Sequence, residues 1–131
     1  MEKLRIHQLA KKEALWGSVD SEKVFNVLND YVNSISRDTE IVEFDLSNIT
    51  SIDYSFIKNV FIELIDSYEF LDMKFMFSNI PNFEIVYHLD EVFKIHNHTA
   101  FINIENRINS IGTNKMDIES SFAFLEKNLV K

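Results

Sequence analysis

The chain has 131 residues, 46% of them hydrophobic and twelve of them Phe, so we expect one domain with a packed core. The formal net charge of −8 disfavours nucleic acid as a partner, because phosphate binding requires a concentrated excess of Lys and Arg. Cysteine is absent, which excludes disulfides, thiolate metal sites and a cysteine nucleophile.

Hydrophobic periodicity predicts a strand and a helix at the start of the chain. Leu4 and Ile6 alternate with polar neighbours as in a short strand, whereas residues 10–17 fit either a helical turn or an irregular connection. A helix is predicted from Asp20, a candidate N-cap, to about residues 36–39. Its predicted apolar face consists of Val24, Leu28, Tyr31 and Ile35, widened by Phe25 and Val32.

The middle of the chain predicts the centre of a sheet. Ile41–Leu46 is the clearest strand, because apolar and acidic residues alternate along it. Lys74–Phe77 is its predicted partner, since a near-continuous apolar run is typical of a strand covered on both faces. The residues between these strands predict a long helix with a wide apolar stripe. The stripe consists of Phe56, Ile57, Val60, Phe61, Leu64, Ile65 and Tyr68.

Downstream elements are less sharply defined. Pro81 precedes a helical pattern that extends to Phe93, and residues 94–96 are predicted as a short strand. Residues 99–111 fit both a helix and a strand, and we favour the helix. Because strands alternate with helices along the chain, we predict an α/β fold, a small sheet with helices packed against it.

The last residues predict a separate element. Residues 116–131 form an amphipathic helical pattern, so we divide the chain into a domain at 1–115 and a C-terminal helical extension at 116–131. The apolar stripe of this extension must be buried, either against its own domain or against a second copy of the chain. The second possibility predicts a homodimer through residues 116–131. The stripe consists of Ile118, Phe122, Leu125 and Leu129.

No membrane insertion or export is expected from the sequence. No segment approaches the roughly 18 to 20 apolar residues that cross a bilayer. The start of the chain, residues 1–16, contains no apolar core of a signal peptide. We therefore expect a cytoplasmic protein.

Several stretches resemble the STAS domain, the small α/β module of anti-sigma-factor antagonists and sulfate-transporter tails. Residues 41–65, IVEFDLSNITSIDYSFIKNVFIELI, resemble the family's strand, its Asp-Leu-Ser turn and the helix that follows. Residues 78–95 resemble its strand end, its helix started by proline and its closing Val-Phe-x-Ile. The Ser55-Phe56 pair and residues 17–32 look closer to divergent STAS-like domains of unknown function, and the resemblance covers about residues 17–95.

The resemblance implies a non-enzymatic regulatory module of bacterial type that binds a partner protein, with a GHKL-type ATPase or kinase as the partner class. The family's phosphorylated serine directly follows the Asp, but Tyr54 stands there in this chain, so a phosphate switch would fall on Ser55. A simpler interpretation is that Asp53 or Ser55 caps the helix, a role worth about 1 kcal/mol. The predicted partner-binding residues are Asp53, Tyr54, Ser55, Lys58 and Asn59.

Two other functions are alternatives to protein binding. The turn could receive a nucleotide or another small ligand, because the free N–H groups at a helix start favour phosphate, although Lys58 is its only nearby cation. His88, His96 and His98, with Asp90 nearby, match no metal-site spacing, so we predict no metal. A Gly-rich phosphate loop, GxSxG and HExxH are all missing, so we predict no catalysis and no cofactor.

Overall fold

The computed structural model of the protein describes residues 2–35, 39, 41–68 and 73–112. The strands are β1 (Glu2–Arg5), β2 (Ala14–Leu15), β3 (Ile41–Asp45), β4 (Ser51–Ile52), β5 (Lys74–Ser78), β6 (Thr99–Ile104) and β7 (Arg107–Gly112). The helices are α1 (Ile6–Ala10), α2 (Gly17–Ser34), α3 (Tyr54–Phe56), α4 (Glu63–Tyr68) and α5 (Phe83–Ile95), with a π-helix, Ile57–Ile62, joining α3 to α4. These elements confirm the predicted α/β fold.

Five strands form the main sheet in the order β1-β3-β5-β6-β7. The first four are parallel to one another, and β7 is antiparallel to β6. The predicted pairing of β3 with β5 is confirmed, with Phe44 opposite Phe77. The short strands β2 and β4 form a second, two-stranded parallel sheet. This pairing places the start of α2, which follows β2, beside the start of α3, which follows β4.

The two faces of the sheet differ. On the first face, buried strand residues join buried residues of every described helix in one core. Phenylalanines connect its layers: ring centroids lie 5.1 Å apart for Phe44 and Phe61, and 4.9 Å apart for Phe61 and Phe77. On the second face, Ile41, Met76 and Phe101 form a smaller cluster, and all of its described residues belong to strands. The described helices therefore pack on one side of the sheet.

The predicted α2 helix is confirmed, but its start and its face are corrected. It begins at Gly17 with Trp16 as the N-cap, so the prediction of Asp20 as the N-cap was wrong. Asp20 lies one turn inside the helix and accepts a hydrogen bond from the Trp16 backbone N–H at 2.9 Å. Its side chain therefore satisfies the N–H of the N-cap residue. Tyr31 is 47% exposed rather than part of the buried face.

Residues 94–111 differ most from their prediction. Lys94 and Ile95 belong to α5, and the favoured helix at 99–111 is a hairpin of β6 and β7. Glu105 and Asn106 turn this hairpin with φ of 52° and 65°, the left-handed pair that a two-residue hairpin loop requires. The strand pattern prevails because β6 completes the hydrogen-bonding edge of β5.

Two further predictions have different outcomes at the ends of the chain. Ile6, expected in the first strand, is instead the first residue of α1. The predicted extension at 116–131, and the homodimer through it, lie outside the described residues and stay predictions. Among the described residues no helix is both long and apolar enough to cross a membrane.

Candidate functional site

Asp53 lies between β4 and α3, where it joins the starts of two helices. Its Oδ1 accepts the Phe56 backbone N–H at 2.8 Å, which caps α3 as the sequence predicts. The same oxygen accepts the Gly17 backbone N–H at 2.9 Å, at the first residue of α2. One carboxylate therefore holds two segments that are 36 residues apart in sequence.

Gly17 allows the two helix starts to meet closely. A Cβ atom placed on Gly17 would lie 2.2 Å from Ser55 Oγ and 2.5 Å from the Phe56 backbone nitrogen. No larger residue fits without moving the backbone of the turn. Sequence reasoning missed this contact and read Gly17 as the end of the preceding segment. The available signal was that the chain has only two glycines.

The helix that follows the turn is a π-helix over residues Ile57–Ile62. Such stretches are rare and are found frequently at functional sites. Ile57, Val60, Phe61 and Ile62 are all buried in this segment. Sequence reasoning predicted the helix but not its π segment, since a run of apolar residues satisfies both periods.

Tyr54 is half-exposed and is held by a histidine from α5. The ring centroids of Tyr54 and His88 lie 4.5 Å apart. His88 Nδ1 is 3.0 Å from the Ile52 carbonyl oxygen, which can only accept, so Nδ1 carries the hydrogen. The imidazole is thus held against β4 and packs beside the Tyr54 ring.

Predicted site residues from α3 and the π-helix line an open groove of about 430 Å³ against α5, which we call the α3–α5 groove. It is lined by Tyr54, Ser55, Lys58, Glu91, Val92, Ile95 and His96. The structure therefore brings three of the five predicted residues to one surface. Asp53 and Asn59 are absent from the lining: Asp53 acts as the cap, and Asn59 Nδ2 donates to Ser55 Oγ at 3.3 Å.

Large apolar side chains are exposed beside this groove. Tyr54 is 44%, Tyr87 59% and Ile95 73% exposed. A hydrogen bond with Glu91 raises the pKa of the Tyr87 phenol above its ordinary value of 10.0, so the phenol stays neutral at physiological pH. Grouped apolar side chains at a surface mark interaction sites more often than scattered ones do. Sequence reasoning read Tyr87 only as part of the helical pattern after Pro81 and missed this role.

The histidines lie in different environments. His98 Nε2 is 2.7 Å from Asp66 Oδ1, whereas His88 contacts Tyr54 and His96 lines the groove. Asp90 accepts the Gly112 backbone N–H at 2.8 Å and pairs with Lys94. In the part of the chain that the structure describes, no three His, Asp or Glu side chains are arranged to hold a metal.

Comparisons with protein-family models, with curated proteins and with solved structures find no significant match to the chain. The resemblance to STAS domains therefore depends on the sequence motifs alone. Membership of that family stays a prediction.

Proposed function

We propose that the protein is a non-enzymatic regulatory module that binds a partner protein through the α3–α5 groove. The observation that carries this proposal is the exposure of Tyr54, Tyr87 and Ile95 around one groove between two helices. Tyrosine is enriched in protein interfaces, because its ring buries apolar area while its hydroxyl finds a polar partner. The groove is open at the surface, so a side chain of a partner can enter it.

The turn beneath the groove supports this proposal because it is held rigidly. Asp53 binds the starts of α2 and α3, and Gly17 lets them touch. A surface that is ordered before binding loses less conformational entropy when the partner docks. The groove residues therefore meet a partner in a fixed arrangement.

The resemblance to STAS domains suggests the class of partner, a GHKL-type ATPase or kinase in the cytoplasm of a bacterium. The net charge of −8 supports a partner with a positive surface around its contact site. Opposite charge speeds encounter and excludes partners of the same sign. Binding should therefore weaken as salt is raised.

Nucleotide binding at this turn, the alternative considered from the sequence, is disfavoured by Asp53. Its carboxylate already accepts the N–H groups of Phe56 and Gly17 that a phosphate would use. A phosphate placed there would also meet a negative charge. The same repulsion applies to a phosphoryl group on Ser55, whose Oγ lies against Gly17. Phosphorylation of Ser55, if a kinase partner performs it, would act by loosening the joint between α2 and α3.

Pull-down from the native host tests the groove. We expect Tyr54→Ala and Ile95→Asp to lose a partner that the unmodified chain retains, because each removes apolar contact area at the centre of the surface. Ser55→Glu should weaken the same partner by introducing charge. Tyr31→Ala is the matched control, since Tyr31 is also half-exposed, on α2, and does not line the groove.

The identity of the retained partner then decides the proposal. An ATPase or kinase that is retained by Tyr31→Ala and lost by Tyr54→Ala and Ile95→Asp supports it. The same set of retained proteins in all four variants would count against the groove as the binding surface.

A further inference from the structure

The second face of the sheet becomes polar towards the carboxyl ends of its parallel strands. Side chains two residues apart on a strand share a face. The cluster of Ile41, Met76 and Phe101 lies on this face. Residues paired side by side across the four parallel strands form two rows on this face. The first row is Lys3, Glu43, Met76 and Phe101, and the second, nearer the carboxyl ends of the strands, is Arg5, Asp45, Ser78 and Asn103. The second row carries no apolar side chain.

Asp45 in this region accepts its hydrogen bonds through one oxygen and lies near a lysine with the other. Its Oδ1 accepts from Ser47 N at 2.9 Å and from Asn79 Nδ2 at 3.0 Å, and Lys3 Nζ lies 3.5 Å from its Oδ2. Burial raises the pKa of Asp45, but the hydrogen bonds of Ser47 and Asn79 outweigh burial, so the pKa lies below its ordinary value. These contacts favour the charged form of Asp45.

Glu43, one row away, is less completely satisfied although its side chain is only 8% exposed. Its Oε2 accepts the Ser78 hydroxyl at 2.5 Å. Lys3 Nζ lies 3.5 Å from the same oxygen, beyond hydrogen-bonding distance, and is shared with Asp45. No described residue donates to Oε1. Oε1 is not one of the fully enclosed unpaired atoms of the described residues, so it keeps some exposure and can accept a hydrogen bond from a molecule in the space beside it.

An open cavity of about 540 Å³ adjoins Glu43, within the size range of small-ligand sites. Asn103 also lines it, and its side chain makes no hydrogen bond within the described chain. The cavity lies at the carboxyl ends of parallel strands, the edge where open α/β sheets bind ligands. The lining residues are Lys3, Glu43, Ser78, Asn79, Ile80, Asn103, Ile104, Glu105 and Asn106.

We propose that this cavity binds a small polar molecule through a primary ammonium group that donates to Glu43 Oε1. Among the described lining residues, Lys3 carries one positive charge and Glu43 and Glu105 carry two negative ones, so a cation is favoured. The Asn103 amide offers both a donor and an acceptor to the rest of the ligand. This site lies on the opposite face of the sheet from the helices of the groove, so it is independent of partner binding there.

Two kinds of molecule carry the required ammonium group. An α-amino acid would also place its carboxylate near Lys3, whereas a diamine would use its second ammonium group near Glu105. Calorimetry on the full chain with L-serine, L-lysine and putrescine, each to about 10 mM, separates them. Glycerol is the control without an amine. If only the amino acids bind, the ligand of the cavity is an α-amino acid. If only putrescine binds, the ligand is a diamine. If both kinds bind, the ammonium group that they share is what the cavity recognises.

Variants of the lining residues test the assignment to this cavity. Glu43→Gln keeps the shape but removes the charge, and we expect about 10- to 100-fold weaker binding, the usual effect of losing a charge-assisted hydrogen bond. Asn103→Ala, at a partly exposed position, should weaken binding while leaving the core intact. Lys58→Ala, which alters the α3–α5 groove instead, should bind with unchanged affinity.

Three results would overturn the proposal: no binding of any amine at these concentrations, binding of glycerol as strong as that of the amines, or an affinity unchanged in both Glu43→Gln and Asn103→Ala. If Glu43→Gln does not fold, as judged by circular dichroism, Asn103→Ala alone decides the location. Because Lys58→Ala and Tyr54→Ala leave this cavity untouched, loss of partner binding in them and loss of amine binding are separate outcomes.

Discussion

Asp53 has two structural roles, and the sequence predicts only one of them. Its role as the cap of α3 follows from its place before an apolar helical stripe. Its second hydrogen bond, to the Gly17 N–H, depends on how α2 packs against the turn. A residue assigned from the sequence to partner binding thus supports the α3–α5 groove rather than lining it.

Replacing Asp53 measures this double role. We expect Asp53→Ala to lower the free energy of unfolding by about 2 kcal/mol, because two N–H groups lose their acceptor and one cap is worth about 1 kcal/mol. Asp53→Asn should lose less, since its amide oxygen still accepts. Urea denaturation at neutral pH measures both.

The control for this measurement is Asp30→Ala, at an exposed position of α2. It should change the free energy of unfolding by less than about 0.5 kcal/mol. An effect of Asp53→Ala no larger than that of the control would refute the double cap.

At the scale of elements, the site is a junction of helix starts. The pair β2 and β4 aligns the two chain segments, and α2 then packs on α3 through Gly17. The π-helix follows directly and places Lys58 on the groove while Ile57 stays in the core. The geometry of the candidate site therefore depends on contacts between elements, not on the turn sequence alone.

Gly17→Ala tests the close contact between α2 and α3. Alanine favours a helix over glycine by about 1 kcal/mol. The added Cβ, however, would meet Ser55 and the Phe56 backbone nitrogen at under 3 Å. We expect a net loss of about 1–3 kcal/mol, typical of overpacking, measured as a lower Tm.

Ser18→Ala is the matched control for this change, because Ser18 is the next residue of α2 and is exposed. Its Tm should stay within a few degrees of that of the unmodified chain, as expected for an exposed position. A Gly17→Ala variant as stable as this control would mean that the two helix starts lie further apart.

For the whole molecule, one aromatic core joins the sheet to the helices. Phe44 on β3 lies within ring contact of Phe61, Phe75 and Phe77, at centroid distances of 5.1, 5.7 and 5.3 Å. The core thus connects β3 and β5 with the π-helix that follows the candidate site. A cavity in this core should therefore lower the stability of the whole domain.

Phe44→Ala should lower the free energy of unfolding by about 3–5 kcal/mol, because it removes a fully buried ring and leaves a cavity. Phe83→Ala deletes the same side chain where it is 84% exposed, so we expect almost no change. Guanidinium denaturation of both variants gives the comparison, and similar losses at the two positions would contradict this assignment of core and surface.

The sequence by itself determined the α/β class, the β3–β5 pair and the long helix between them. These depend on local periodicity: alternation along Ile41–Asp45 places Val42 and Phe44 on the face of the strand that packs against the helices, and the stripe after Asp53 buries one side of a helix. The same local signal located the turn that supports the candidate site.

Only the tertiary structure decided the hairpin, the groove and the polar cavity. Residues 99–111 fit two periods, and the free edge of β5 selected the strand. Tyr87 lies in the helical pattern predicted after Pro81 but is 59% exposed beside the groove. The groove and the cavity join residues distant in sequence, and their chemistry exists only after the strands and helices have packed.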